Sequence, residues 1–168
     1  MADLAPTPPQ TVGPFLHLAL ADPDLRAAVE PGTPGRITVS GMLVDGEAAA
    51  VPDGLIETWQ ADGCFARCAT DDAGRWEVHT RKPAPAPTVD GRPQAPHLLV
   101  SVFARGLLHR VVTRVYFADE ADANAGDPVL AVVEPSRRPR LVAAGDEASG
   151  YRFDICLQGE DESVFFEC

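Results

Sequence analysis

Four histidines, four cysteines and two tyrosines are the side chains of this 168-residue sequence best suited to ligating a metal or doing thiol chemistry. Cys64 and Cys68 are close in sequence, whereas Cys156 and Cys168 stand apart, and no histidine accompanies the close pair at zinc-finger spacing. A metal site or two disulfides would need a tighter pattern, so the spacing favours buried or incidental thiols. His17, His79, His97 and His109 form no local ligand pair, and a lone strand histidine is more often a satisfied polar group than a ligand. The expectation is therefore no metal on this chain. A different chemistry is open to Arg105, whose planar guanidinium could hold a carboxylate through charge-assisted, bidentate hydrogen bonds. On the residues alone it reads as a surface arginine ending a strand.

The elements that would position these groups are short and β-rich. Arg36 to Val44, Leu55 to Ala61, Trp76 to Thr80, His97 to Ala104 and Leu108 to Phe117 are β-branched or aromatic and partly alternating, as are Tyr151 to Leu157 and Ser163 to Cys168. About seven strands are predicted, with turns at Asp45-Gly46, Pro52-Asp53-Gly54, Asp71-Asp72-Ala73-Gly74, Asp90-Gly91-Arg92-Pro93 and Gln158-Gly159-Glu160-Asp161. Only Ala19 to Glu30 and Asp119 to Ala125 could form short helices. The pattern predicts an all-β fold: a β-sandwich of about seven or more mostly antiparallel strands, with little helix and an irregular N-terminal arm. Four prolines in residues 1–15 deny that arm a central-strand role. It is either frayed, the commoner fate of a terminus, or laid across a partner chain.

Composition narrows the function classes. The net charge of −11 repels a phosphate backbone and excludes a basic nucleic-acid patch. No apolar run approaches the roughly 20 residues that span a bilayer, and Met1-Ala2-Asp3-Leu4-Ala5-Pro6 lacks a secretory pattern. A cytoplasmic protein of one domain, residues 1–168 with 1–15 as an extended arm, is the expectation. Prolines and glycines are scattered as turn punctuation and mark no linker.

Ordered motifs then carry a resemblance. Thr7-Pro8-Pro9-Gln10-Thr11-Val12-Gly13-Pro14-Phe15, Ile56-Glu57-Thr58-Trp59-Gln60-Ala61-Asp62, Thr70-Asp71-Asp72-Ala73-Gly74 and Lys82-Pro83 come first. Ala95-Pro96-His97, Ser101 through Gly106, Thr113 through Phe117, Tyr151 through Ile155, Gln158-Gly159-Glu160 and Val164-Phe165-Phe166 follow. In this order they resemble the intradiol dioxygenase family, and within it the alpha chains of members that act on protocatechuate.

The resemblance implies a ligand set to look for, because iron-bearing chains of the family hold ferric iron with two tyrosines and two histidines. One tyrosine belongs to a loop after the Trp-Gln-Ala strand, and here Asp62-Gly63-Cys64-Phe65-Ala66-Arg67 runs almost directly into the next hairpin. The second belongs to a Lys-Pro-Gly-Pro-Tyr-Pro loop, matched by Lys82-Pro83-Ala84-Pro85-Ala86-Pro87 with Ala86 in the phenol's place. The His-x-His pair is matched by His97-Leu98-Leu99, which keeps the first histidine only. Tyr116 and Tyr151 stand in strand motifs shared for packing. What is implied is an alpha chain that binds no iron, supplies no catalytic residue and pairs with a beta subunit of similar fold holding the Fe(III).

By the same resemblance, O2 opens the ring of protocatechuate between its hydroxyl-bearing carbons to give 3-carboxy-cis,cis-muconate. Thr11, Gly13 and Pro14 would reach the pocket rim, Phe15 would line or support that wall, and Arg105 would meet the substrate carboxylate. Two other readings compete: a purely structural partner subunit that touches no substrate, and a stand-alone β-sandwich binding module.

Overall fold

Side-chain alternation sets the framework. In the computed structural model, which describes Pro8 and residues 20–89 and 91–167, the strands are β1 (Arg36–Val44), β2 (Leu55–Trp59), β3 (Phe65–Ala69), β4 (Arg75–Arg81), β5 (Ala86–Val89), β6 (Arg92–Gln94), β7 (His97–Phe103), β8 (Val111–Phe117), β9 (Val142–Asp146), β10 (Gly150–Arg152) and β11 (Ile155–Cys156). Along β1 every second residue, Ile37, Val39, Gly41 and Leu43, is buried, the period-2 signature of a half-buried strand.

Two layers result. In one, β3, β2, β7 and β8 run antiparallel in that order. In the other, β1 pairs antiparallel with β4 and parallel with β10 and β11. β9 joins them: Val142 and Ala143 pair with Tyr116 and Phe117, and the rest of the strand then pairs with β10. The sheet is thereby nearly closed, and the inward residues of both layers, among them Val39, Ile56, Val100, Val115, Phe117 and Tyr151, form one core. Gly41 marks where the chain steps from β10 to β11. A Cβ there would lie 1.8 Å from the Phe153 carbonyl oxygen. Across this step Phe153 N–H donates to the Ser40 carbonyl, and the Asp154 carboxylate accepts from Met42 N–H. A side chain thus completes the ladder where the backbone cannot.

A second, smaller cluster lies on the outer face of β8, where Tyr116 packs with Ala95, Leu130, Leu141 and Val164. It sits beneath the short helices Ala121–Gly126 and Pro128–Val132 and the 3-10 turn Arg138–Leu141. No helix among the described residues is long and apolar enough to cross a membrane.

The all-β expectation is met, with local corrections. Of the helix expected over Ala19 to Glu30, the described residues 20–30 form a 3-10 turn, Pro23–Arg26, opened by Asp22 accepting from Asp24 N–H. Phe65–Ala69 is a strand that its small residues and central arginine concealed. The proline-rich stretch and its following turn contain the β5–β6 pair, and the helices after Ala121 exceed the expected one. Tyr151 to Leu157 divides at Phe153-Asp154 for the reason given above. Within 163–167 the expected last strand is reduced to one bridge, Val112 with Phe166. That segment spends its polar groups elsewhere: Ser163 Oγ accepts from Cys156 N–H, and the Val164 carbonyl accepts from the Thr113 hydroxyl.

Candidate functional site

Strand β7 carries a candidate at each end. His97 is its first residue, and Arg105 follows its last by two positions.

At the first end, His97 and Leu99 share the outer face of the strand, two residues apart. The neighbouring strands place Tyr116 opposite His97, Arg114 and Trp59 opposite Leu99, and Phe65 opposite Trp59. His97 is only 7% exposed. Its Nδ1 lies 2.8 Å from the Ala95 carbonyl, and its ring lies 5.4 Å from that of Tyr116. Burial pushes its pKa below the usual imidazole value, which favours the neutral ring.

Beneath it Asp127 is fully buried. Its carboxylate accepts from Tyr116 Oη at 3.1 Å and from the N–H groups of Ala95, Val129 and Leu130, each at 2.8 Å. Arg114 donates through Nη1 to Gln94 Oε1 and to Tyr116 Oη, and Gln94 donates to the Pro87 carbonyl. This is a buried polar network whose members satisfy one another, an arrangement that rigidifies a fold. The signal that could have found it was Asp127 before Pro128, an N-cap residue followed by a proline suited to the first helical turn.

The residues at this end do not fit a ferric ion. Leu99 and Ala86 carry no donor, and Ala86 instead pairs with Gln94 in the β5–β6 ladder. Tyr116 is engaged with Asp127 and Arg114, and burial pushes its phenol up to about 12. Tyr151 lies across the core, where it donates to Asp119 and is likewise raised to about 12, chiefly by burial. No three His, Cys, Asp or Glu side chains among the described residues are grouped to hold a metal. The turn after β2 is tight as well: Gln60 N–H donates to the Cys64 carbonyl, and Gly63 turns the chain with φ of 87°. Trp59 and Leu99 are left 46% and 41% exposed.

The described cysteines, Cys64, Cys68 and Cys156, are free thiols. Cys68 is buried, and burial raises its thiol to about 11, the inert form. Cys64 lies 3.6 Å from both Asp62 and Arg81 on the surface, and Cys156 rests on backbone carbonyls.

The opposite end is built differently. After β7 the chain turns through Ala104 to Leu107, closed by Leu107 N–H on the Ala104 carbonyl and by the positive φ of Gly106, 91°. Ala104 is buried, so the turn is anchored while Arg105 projects from it, its side chain 67% exposed. Arg105 Nε lies 2.9 Å from Asp53 Oδ2. Both line an open cleft with Pro52, Gly106, Leu107 and Gln158. Among the predicted site residues only Arg105 can be placed, because Thr11, Gly13, Pro14 and Phe15 lie outside the described residues. Asp53 was not singled out from the sequence; it stands 52 residues before Arg105 and reads there only as part of a turn.

Comparison with known proteins adds a lineage to this geometry. No family model matches the chain. A protein named protocatechuate 3,4-dioxygenase alpha chain from Pseudomonas putida is 41% identical over 98% of this chain and 97% of its own length. Its namesake from Burkholderia cepacia is 37% identical over 99% and 100%. A protocatechuate 3,4-dioxygenase beta chain from Burkholderia cepacia is 31% identical over 90% of this chain and 75% of its own. Among solved structures, the dioxygenase domain of a dioxygenase carbohydrate-binding protein fusion from Streptomyces sp. SirexAA-E superimposes with a TM-score of 0.59, covering 92% of this chain and 99% of that one. At 23% identity this last match speaks for the fold alone.

Proposed function

Because this chain belongs to the protocatechuate 3,4-dioxygenase alpha chains of the intradiol dioxygenase family, we propose that it shapes the substrate pocket of an assembled oxidoreductase whose Fe(III) is held by a partner beta chain. The observation that carries this reading is the donor-poor end of β7, where Leu99 and Ala86 occupy the expected ligand positions while the fold around them is intact. The iron would activate bound protocatechuate toward O2; this chain orients the substrate and sets its identity.

On this reading residues 1–168 act as one domain, and residues 1–15 serve as an arm toward the partner. The arm brings Thr11, Gly13, Pro14 and Phe15 to the pocket, and Arg105 meets the substrate carboxylate. The exposed, forked guanidinium at the tip of an anchored turn suits that task. Net charge of −11 speaks against a nucleic-acid partner, and the absence of a long apolar run speaks against a membrane-spanning helix. Three free thiols, Cys64, Cys68 and Cys156, fit a reducing cytoplasm.

The deciding experiment is Arg105→Ala in the complex of alpha and beta chains. A rise of about tenfold in KM for protocatechuate, with iron content and subunit ratio unchanged, is the expected result. Unchanged kinetics would move the chain to the purely structural reading.

A further inference from the structure

Asp53 has no place in the function described so far, yet its surroundings constrain it. It belongs to the turn between β1 and β2, and that turn is tied down by a buried threonine. Thr70 Oγ1 accepts from Gly54 N–H at 2.9 Å and donates to the Val51 carbonyl at 2.7 Å, while Thr70 N–H donates to the Gly54 carbonyl. Gly54 itself packs so closely that a Cβ would lie 2.3 Å from Leu43 Cδ2. The backbone under Asp53 is therefore fixed from both sides.

The carboxylate on that backbone is shielded where it matters. Oδ2 is screened from solvent and accepts no aligned hydrogen bond from the described residues, yet it lies 2.9 Å from Arg105 Nε. A carboxylate oxygen removed from water needs a compensating charge, so Oδ2 attracts the guanidinium and holds it toward the β1–β2 turn. Arg105 pays a different cost. Its long side chain has about 2 kcal/mol of rotamer freedom to lose when it binds anything.

We propose that Asp53 is the positioning residue of Arg105: it engages the Nε edge of the guanidinium, fixing the direction in which the rest of the fork meets the substrate carboxylate. The inference rests on the reading of Arg105 given above. A guanidinium has five N–H donors, so one carboxylate oxygen against Nε does not exhaust it. Pre-orientation reduces the entropy lost on binding, which is how a fixed second group raises affinity without touching the ligand. The same negative charge also attenuates the pull of Arg105 on an anion, and the two effects act in opposite directions. The contact at Nε is made by a carboxylate oxygen shielded from solvent, whereas most of the Arg105 side chain is exposed. Attenuation at the far end of the fork is therefore screened by solvent more than the close contact is, and positioning dominates.

The test uses the assembled alpha–beta enzyme with Asp53→Asn, Asp53→Glu and Arg105→Ala. Two quantities are read: KM for protocatechuate, and the inhibition constant of catechol, which lacks the carboxylate. Asp53→Asn is expected to raise KM about threefold to fivefold with kcat and the catechol constant unchanged, and Asp53→Glu to recover part of the loss. A structural role alone would move both ligands together, and native mass spectrometry checks that subunit ratio and iron content are unaltered. If Arg105→Ala raises KM but Asp53→Asn leaves it unchanged or lowers it, the positioning role is overturned while the Arg105 reading stands. If Arg105→Ala itself has no effect, the Arg105 reading fails and takes this inference with it.

Discussion

The two ends of β7 hold a histidine and an arginine in opposite physical states. His97 is buried, its ring beside the network of Tyr116, Asp127 and Arg114. Arg105 stands out from a turn that is itself anchored, tied among the described residues through Nε to the carboxylate of another turn. Histidine is the more versatile chemical group, but here it is occupied and neutral. Arginine on an anchored, exposed turn keeps most of its side chain in solvent. Environment, more than residue type, separates a sealed polar group from one presented to solvent.

If that contrast is right, changes at the His97 end should alter stability and leave kinetics alone, whereas changes at the Arg105 end should do the reverse. The largest effect is expected for Asp127→Ala, which strips acceptors from three backbone N–H groups and from Tyr116 Oη inside the fold. A loss of about 3–4 kcal/mol in urea unfolding should follow; a loss below about 1 kcal/mol would mean that the network is not cooperative.

Next comes Lys82, which extends the comparison to a third polar cluster. Its side chain is 13% exposed, and its ammonium lies 2.9 Å from Asp119 and 2.7 Å from Glu120, near the faces of Phe117 and Tyr151. Burial works to lower the pKa of Lys82, but hydrogen bonds with Glu120, Asp119 and Tyr151 outweigh it and hold it above the usual 10.5. Burial likewise works to raise Asp119, and Lys82 with Tyr151 outweighs that to hold its carboxyl below the usual 3.8. The depressed carboxyl contributes stability that is present above pH 3.8 and lost as pH falls through its folded value. The raised ammonium contributes stability that is complete below pH 10.5 and lost as pH rises through its folded value. Lys82→Met should cost about 2 kcal/mol at neutral pH and flatten both limbs of a stability–pH curve; an unchanged curve would show the cluster to be passive.

A smaller change, about 1–2 kcal/mol, is expected for His97→Ala, with iron content, kcat and KM of the assembled enzyme intact. Iron loss in this variant would make His97 a ligand and break the contrast outright. Because burial lowers the His97 pKa, protonating the ring disfavours the fold, so its share of stability should fall as pH drops below 6.5; His79, lowered mainly by burial too, adds to that slope. Smallest of all is Arg105→Ala, within about 0.5 kcal/mol in unfolding, although its kinetic effect is expected to be the largest of the set.

Much of the architecture was legible because its signals are local. The alternation in Arg36 to Val44 and the turns at Asp45-Gly46 and Asp53-Gly54 follow from period and backbone preference, and both reappear in the fold. Phe65–Ala69 and Val142–Asp146 escaped because small and polar residues mask their period, and register with neighbouring strands makes them strands. Of the Arg105–Asp53 pair the sequence singled out the arginine and not the aspartate, since a turn aspartate carries no mark of the arginine that folding brings to it.

By itself the sequence determined which donors exist: alanine at position 86 and leucine at 99 cannot bind a metal in any conformation. Only the tertiary structure decided how the remaining groups behave. His97 and Tyr116 lost their availability to burial, Tyr116 beneath helices that begin after Phe117. Arg105 met the carboxylate of Asp53, from the turn that leads into the neighbouring strand β2. Side-chain chemistry is fixed residue by residue, but burial and ion pairing depend on strand register across tens of residues, which local pattern does not encode.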